Sequence, residues 1–473
     1  MGVPRIRFLD DADIAAIDEA TRVLLYHTGV DVHSERAREA LAKAGARLAP
    51  GSPRVFFSRA VIDKSLETAP RHVLLASRDG KHDLRIPDGR PHVTTDGTGV
   101  NVWDLESGKR RPSTTKDLAD FTRVADALDT IDLEWPMVVA GDAPNEVHGL
   151  VEAATTLENT AKHVQHEALS RSDAEALVRM ASAIAGGPEE LRRRPVLSAI
   201  QCPVSPLTLE QGSTDGLIVL ACAGVPVVPL SMILMGGSSP VDLASALVIA
   251  NAENLASLCV AQAVAPGAPV IYGMSSGPID MRSGSFGTGA PETGLINVAG
   301  VEMARYYRLP CSIGGLATDA DSPGFQAGVE KMGTGLLPML AGADLITGTG
   351  SLDTDSTMSV EQLILDEDLV EYVRRVIEPL RVDAETIHLD MLSRLGPGGN
   401  FLKEKHTLLH FREALWSPRI LLRDGYVEGE PAEMRARARA RARARELLAK
   451  HNPVPLDADV RRRVWAEVPG IRS

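Results

Sequence analysis

Cysteine is scarce in this chain, and so are aromatic residues. Four cysteines stand among 473 residues, Cys202, Cys222, Cys259 and Cys311, none in a CxxC pair and each inside an apolar run. That excludes a disulfide framework and leaves buried reduced thiols, the pattern of a cytoplasmic chain. Phe, Trp and Tyr supply only 4% of the residues, so each aromatic near a site carries weight. The opening stretch MGVPRIRFLDDADIAAIDEA holds no apolar core of signal-peptide length, and no run of about 18 apolar residues escapes polar interruption. We expect neither secretion nor membrane insertion. A net charge of -13 disfavours a polyanion, nucleic acid included, as the main ligand.

The signatures of several chemistries are missing as well. There is no GxSxG elbow. No cysteine has a basic neighbour that would lower its pKa. The pair His406 and His410 has helical spacing, but HTLLH lacks the glutamate of HExxH, and His163 and His166 fall on opposite faces of one strand. No metal site is expected. No GxGxxG stands at the turns that end the β runs, which speaks against a nicotinamide cofactor. The residues therefore offer no protein nucleophile.

What is present is a regular alternation. Residues 1–90 read as an N-terminal α/β extension, with helices in DDADIAAIDEATRVLLYHTG, HSERAREALAKAG and SRAVIDKSLETAP and a hairpin around RDGK. From residue 91 to 356, eight short apolar runs alternate with helical ones: HVTTDG, LEWPMVVAG, KHVQHEA, PVLSAIQCP, VPVVPLSMI, PVIYGMSS, PCSIGGLAT and ADLITGTG. Short strands apolar on both faces are those of a buried parallel sheet. Eight such units predict a (β/α)8 TIM barrel, although a doubly wound open sheet gives the same alternation. Residues 357–473 read as a C-terminal helical cap and tail. Within it, EMRARARARARARELLAKH reads as a helix with charge on nearly all sides, solvated and facing a partner.

Functional residues of a barrel gather at the C-terminal strand ends. That nominates Asp96, Gln165, His166, Gln201, Tyr272 and Asp319, each of which could equally be a cap or hold a loop. SIGGLAT and TGTGS end the seventh and eighth β runs, where barrels often hold phosphate; tight turns explain the glycines equally well. A phosphate-binding lyase or aldolase is thus one alternative. Its Schiff-base version would need Lys162, at the wrong end of a strand. A non-catalytic binding protein is another.

Four long segments carry a family resemblance: ANAENLASLCVAQAVAPGAPVIYGMSSGPIDMRSGSFGTGAPE, ARYYRLPCSIGGLATDADSPGFQAGVEK, LAGADLITGTGSLDTDSTMSVEQLILDEDLV and LGPGGNFLKEKHTLLHFREALWSPRILLRDGY. Together they resemble the trimethylamine methyltransferase family, from about residue 5 to the C-terminus, in its branch without pyrrolysine. The resemblance implies a TIM-barrel enzyme that demethylates a quaternary amine such as glycine betaine. The methyl passes to cob(I)alamin on a separate corrinoid protein, so cobalt is the nucleophile and the chain itself needs no tightly bound cofactor. Asn400, where histidine is more frequent, and Asp321, where lysine is, depart from the pattern and bear on the substrate.

A quaternary nitrogen has no N–H and is held by charge and π faces. On this reading Tyr272 supplies the face and Asp96 and Glu292 the counter-charges. Gln165, His166 and Gln201 fix the far end of the substrate. His406, in GPGGNFLKEKHTLLH, closes over the barrel mouth. Positive charge leaves nitrogen as the methyl departs, so few carboxylates should touch it. Oligomeric state stays open.

Overall fold

The computed structural model describes residues 5–470. Eight parallel strands close into a barrel: β1 (His92–Thr95), β2 (Leu133–Glu134), β3 (His163–Glu167), β4 (Leu197–Gln201), β5 (Val227–Ser231), β6 (Tyr272–Met274), β7 (Cys311–Gly314) and β8 (Leu345–Thr349). They pair in chain order, and closure comes from β8 on β1, Leu345 opposite His92 and Ile346 opposite Val93. All eight predicted β runs are barrel strands, and the open-sheet alternative falls away.

The alternation of side chains sorts residues into two cores. Val93, Val164, Leu197, Ala199, Tyr272 and Ile346 face the helical layer. Leu133, Trp135, Ile200, Leu230, Ile271 and Leu345 face the barrel interior. The N-terminal extension supplies the floor of that interior. Its antiparallel hairpin, Val73–Leu75 with Leu84–Ile86, inserts Val73, Leu75, Leu84 and Ile86 into the inner core. The barrel is therefore shut at its N-terminal end and opens only at the mouth, where the strands end.

Helix Leu243–Val264 is long and apolar enough to cross a membrane, but 72% of its apolar window is buried inside the fold, between β5 and the N-terminal helices. The arginine repeat forms helix Ala432–Lys450, and its partner is this chain itself. Ala436, Ala440 and Ala444, four apart, are buried against helix Val360–Ile377. Arg437 and Arg441 reach the fully buried Glu361 at 2.6 and 2.8 Å, and Arg443 reaches Glu367 at 2.9 Å. The alternating alanines make one narrow stripe that lets two helices approach closely, and the arginines flank it. The solvated, partner-facing helix expected from composition is corrected on this point.

Between Glu378 and Arg419 no residue is buried. This arm holds the short helices Ala384–Ile387, Leu389–Leu395 and Lys405–Ala414. It leaves the body at the end of helix Val360–Ile377, where Arg374 bonds Thr130 O and Asp132 just before β2. It rejoins there through Arg375 to Ala414 O and the edge-to-face rings of Tyr372 and Trp416. Its root is thus at the N-terminal face of the barrel, opposite the mouth.

Candidate active site at the barrel mouth

Asp96 follows β1 and is only 6% exposed. Its carboxyl meets that of Asp355, from the loop after β8. Burial, then the neighbouring Asp355, hold Asp96 well above the carboxylate range, and burial raises Asp355 too. Two buried carboxyls this close oppose each other's ionisation. The nearby cation is Lys331, wholly buried on helix Phe325–Ala341. Its Nζ donates to Leu316 O at 2.7 Å and Gly348 O at 2.8 Å and lies 3.1 Å from Asp366.

The loop that brings Asp355 in is strained. Asp353, Thr354 and Asp355 have φ of +51°, +53° and +64°, three consecutive non-glycine residues in the left-handed region, at an order of 1 kcal/mol each or more. Bonds from Asp353 N to Ala320 O (2.7 Å) and from Thr354 N to Thr318 O (3.1 Å) hold it. Asp319 joins this rim. It accepts from Thr288 Oγ1 at 2.8 Å, Gly289 N at 3.2 Å and Thr354 Oγ1 at 3.2 Å, tying the loops after β6, β7 and β8 together.

Beside Asp96 stands an aromatic face that the sequence reading missed. Trp135, just past β2, belongs to the inner core, and its indole lies on Gly97. A Cβ at Gly97 would sit 2.5 Å from Trp135 Nε1, so the glycine is what admits the ring. Among the described residues, Trp135 Nε1 has no hydrogen-bond partner. Neither do Gln165 Oε1, Ser312 Oγ and Asp355 Oδ1. Gln165 is fully buried and faces the interior, its amide donating weakly to Ser198 Oγ at 3.4 Å. Buried polar atoms rarely stay unpaired, and a ligand with a charged and an accepting end would satisfy this set.

His166, on the outward side of β3, borders a separate cavity of about 220 Å³ with His148, Glu152 and Glu167. Its Nε2 donates to Gly149 O at 2.8 Å, which leaves Nδ1 as an unpaired acceptor. Glu167 is raised by burial.

Three expected residues lie elsewhere. Tyr272 faces the helical layer, where its hydroxyl bonds Asn251 Oδ1 at 3.3 Å, so its ring is no part of the mouth. Strand alternation turns it outward because Ile271 is the inward residue. Gln201 obeys the same parity and accepts from Ser257 Oγ at 3.2 Å on helix Leu243–Val264. His406 stacks between His388 and His410, ring centroids 4.0 and 4.7 Å away, on the arm at the opposite face. It does not close the mouth. Glu292 is exposed in the first turn of helix Pro291–Tyr306, on the mouth rim.

Cys202 ends β4 and packs on the inner core. Burial, then Glu167 and Glu253, push its thiol far up, so it offers no thiolate. The glycines at the ends of β7 and β8 also find their reason. A Cβ on Gly348, at φ +117°, would fall 1.8 Å from Gly315 O, and the carbonyls freed there bind Lys331. They present oxygens, not N–H groups, and the acids beside them would repel phosphate.

The family profile described as trimethylamine methyltransferase (MTTB) matches residues 1–468. Trimethylamine methyltransferase MttB of Methanosarcina thermophila is 34% identical over 472 residues, covering 98% of this chain and 96% of that protein. The MttB of Methanosarcina barkeri is 35% identical over 467 residues, covering 96% and 93%. A glycine betaine methyltransferase of Desulfitobacterium hafniense is 29% identical over 467 residues, covering 98% and 97%.

Proposed function

The chain belongs to the trimethylamine methyltransferase family and is a methyltransferase, and we propose that it demethylates a quaternary amine such as glycine betaine and hands the methyl to a Co(I) corrinoid carried by a separate protein. In that reaction the C–N bond breaks, its electron pair stays on nitrogen, and the amine leaves neutral. The corrinoid supplies the nucleophile and takes the methyl.

The observation that carries this reading is the pairing of Trp135 with the Asp96–Asp355 couple around Gly97. A π face and a carboxyl pair are what a permethylated nitrogen can use. The opposition between the two carboxyls matters for rate. Two full carboxylates would grip the cation most tightly before reaction and lose that grip as the charge vanishes; a pair that resists full ionisation lowers that penalty. Gln165 and Ser312, with atoms unpaired in the interior, can orient the rest of the substrate. The sealed floor keeps water from entering behind it. The acids at the β7 and β8 ends speak against the phosphate-binding lyase.

The test is methyl transfer to cob(I)alamin, followed by its spectral conversion to methylcobalamin, across glycine betaine, carnitine, choline, proline betaine and trimethylamine. Turnover with a quaternary amine, lost at least a hundredfold in Trp135→Leu, is expected. No methylation with any member of the panel would sink the proposal.

A further inference from the structure

The cavity of about 220 Å³ at the end of β3 holds polar groups that the reaction at the mouth does not use. Thr98, next to Gly97, forms one wall, so the cavity lies beside the cup. Helix His148–Asn159 supplies Leu150 and Glu152, and helix Arg171–Ala185 supplies Asp173 and Leu177. Acceptors are in excess there. His166 is 3% exposed, and with Nε2 committed to Gly149 O at 2.8 Å its Nδ1 is a lone pair without a partner. Among the described residues nothing donates to the Glu167 carboxyl, whose neighbours are His166 and Glu152. Glu152 itself is satisfied, by Ala140 N and His148 Nδ1, each at 3.0 Å. Glu146 and Asp173 add two more acids, and no lysine or arginine lines the cavity. A buried acceptor left without a donor is costly, and an occupant that brings an N–H removes the cost.

We infer that this cavity binds a small alkylammonium ion that keeps at least one N–H, donated to His166 Nδ1, with its charge facing the Glu167 carboxyl and its alkyl groups against Leu150 and Leu177. Other occupants fit less well. An anion would meet Glu146, Glu152, Glu167 and Asp173 with no cation to offset them. For a bare metal ion, no three His, Cys, Asp or Glu side chains converge as ligands among the described residues. Val139, Leu150 and Leu177 give apolar walls, which suit alkyl groups better than water alone. Cup and cavity thereby sort cations by one feature. A permethylated nitrogen has no proton to donate and uses the indole face of Trp135. A protonated primary, secondary or tertiary amine has one and uses acceptors. The site stands whatever methylated amine the cup takes, and a demethylated amine that has gained a proton belongs to the class it accepts.

Methylammonium chloride, titrated into the full-length protein at neutral pH and constant ionic strength to about 50 mM, tests this by calorimetry and by the leucine methyl resonances. Saturable binding that shifts the methyls of Leu150 and Leu177 is expected. Its affinity should stay within about twofold in Trp135→Leu, which removes the face of the cup, and fall at least tenfold in Glu167→Gln. In Trp135→Leu, tetramethylammonium chloride should leave those leucine signals in place. Binding lost in Trp135→Leu, binding indifferent to Glu167→Gln, equal shifts with tetramethylammonium, or no binding at all overturns the inference. Should a variant misfold, the parent decides: methylammonium must shift Leu150 and Leu177, and potassium chloride at the same concentration must not.

Discussion

Gly97 shows how much one hydrogen can decide. It stands between the acid of Asp96 and the indole of Trp135, and a methyl there would overlap the ring at 2.5 Å, far inside contact distance. Gly97→Ala should keep the fold, since the outer helices are untouched, but displace the indole. We expect methyl-transfer efficiency to fall about a hundredfold, with the loss visible in both KM and kcat. Unchanged kinetics in steady-state assays would separate Trp135 from the substrate. A second residue acts on stability. His163 is fully buried between Ala76 O and Ser198 Oγ, and burial holds its imidazole at about 4. Its folded pKa lies below the unfolded value of about 6.5. The unfolded chain therefore takes up the proton first as pH falls. The stability His163 contributes is complete above about 6.5 and is lost towards pH 4, roughly 3 kcal/mol in all. Urea unfolding at pH 7 and pH 5 should show this loss in the parent and a smaller one in His163→Gln.

At the scale of elements, the pair of Lys331 and Asp366 joins helix Phe325–Ala341 to helix Val360–Ile377 with neither side chain exposed. Asp366 also accepts from Gly350 N at 2.7 Å and Gln362 Nε2 at 2.8 Å. Lys331→Met removes one charge and strands the other, together with the acids of the mouth. Loss of one partner from a buried pair costs about 3–5 kcal/mol. Chemical denaturation should register that loss, and a change under 1 kcal/mol would mean that water or a shifted proton replaces the lysine. The elements themselves were legible because most barrel strands are short apolar runs and most of those runs end in Gly, Ser, Thr or Asp, a pattern that needs no tertiary information. Direction was not. Asp96 and Gln165 face the interior, whereas Gln201 and Tyr272, equally polar and equally near strand ends, face the helices, since one residue of register reverses a side chain. Trp135 escaped notice because it lies past its strand and depends on Gly97, far back in the sequence. The spacing of His406 and His410 showed a helical face but carried no word of which end of the barrel that helix reaches.

The whole molecule is closed from below by its own N-terminal segment. The hairpin residues Val73, Leu75, Leu84 and Ile86 interleave with Leu133, Ile200, Val228 and Leu345 from four strands in one apolar cluster. A floor shared in this way couples the extension to the barrel: neither can shed its partner without exposing both halves of the cluster to water. On the proposed reaction, substrate and methyl acceptor then use the same opening, one after the other or facing each other, with the substrate in a dead-end cup. This predicts a single cooperative transition for the N-terminal segment and the barrel. Leu75 is fully buried, and Leu75→Ala should cost about 2–5 kcal/mol. If the floor is common property, that loss shifts far-UV ellipticity and the fluorescence of Trp135 at the mouth to lower urea by the same amount, in a protein whose other tryptophans are replaced. Were the hairpin an independent appendage, the Trp135 signal would keep its midpoint while only part of the ellipticity moved, and the barrel would have to be redrawn as open at both ends.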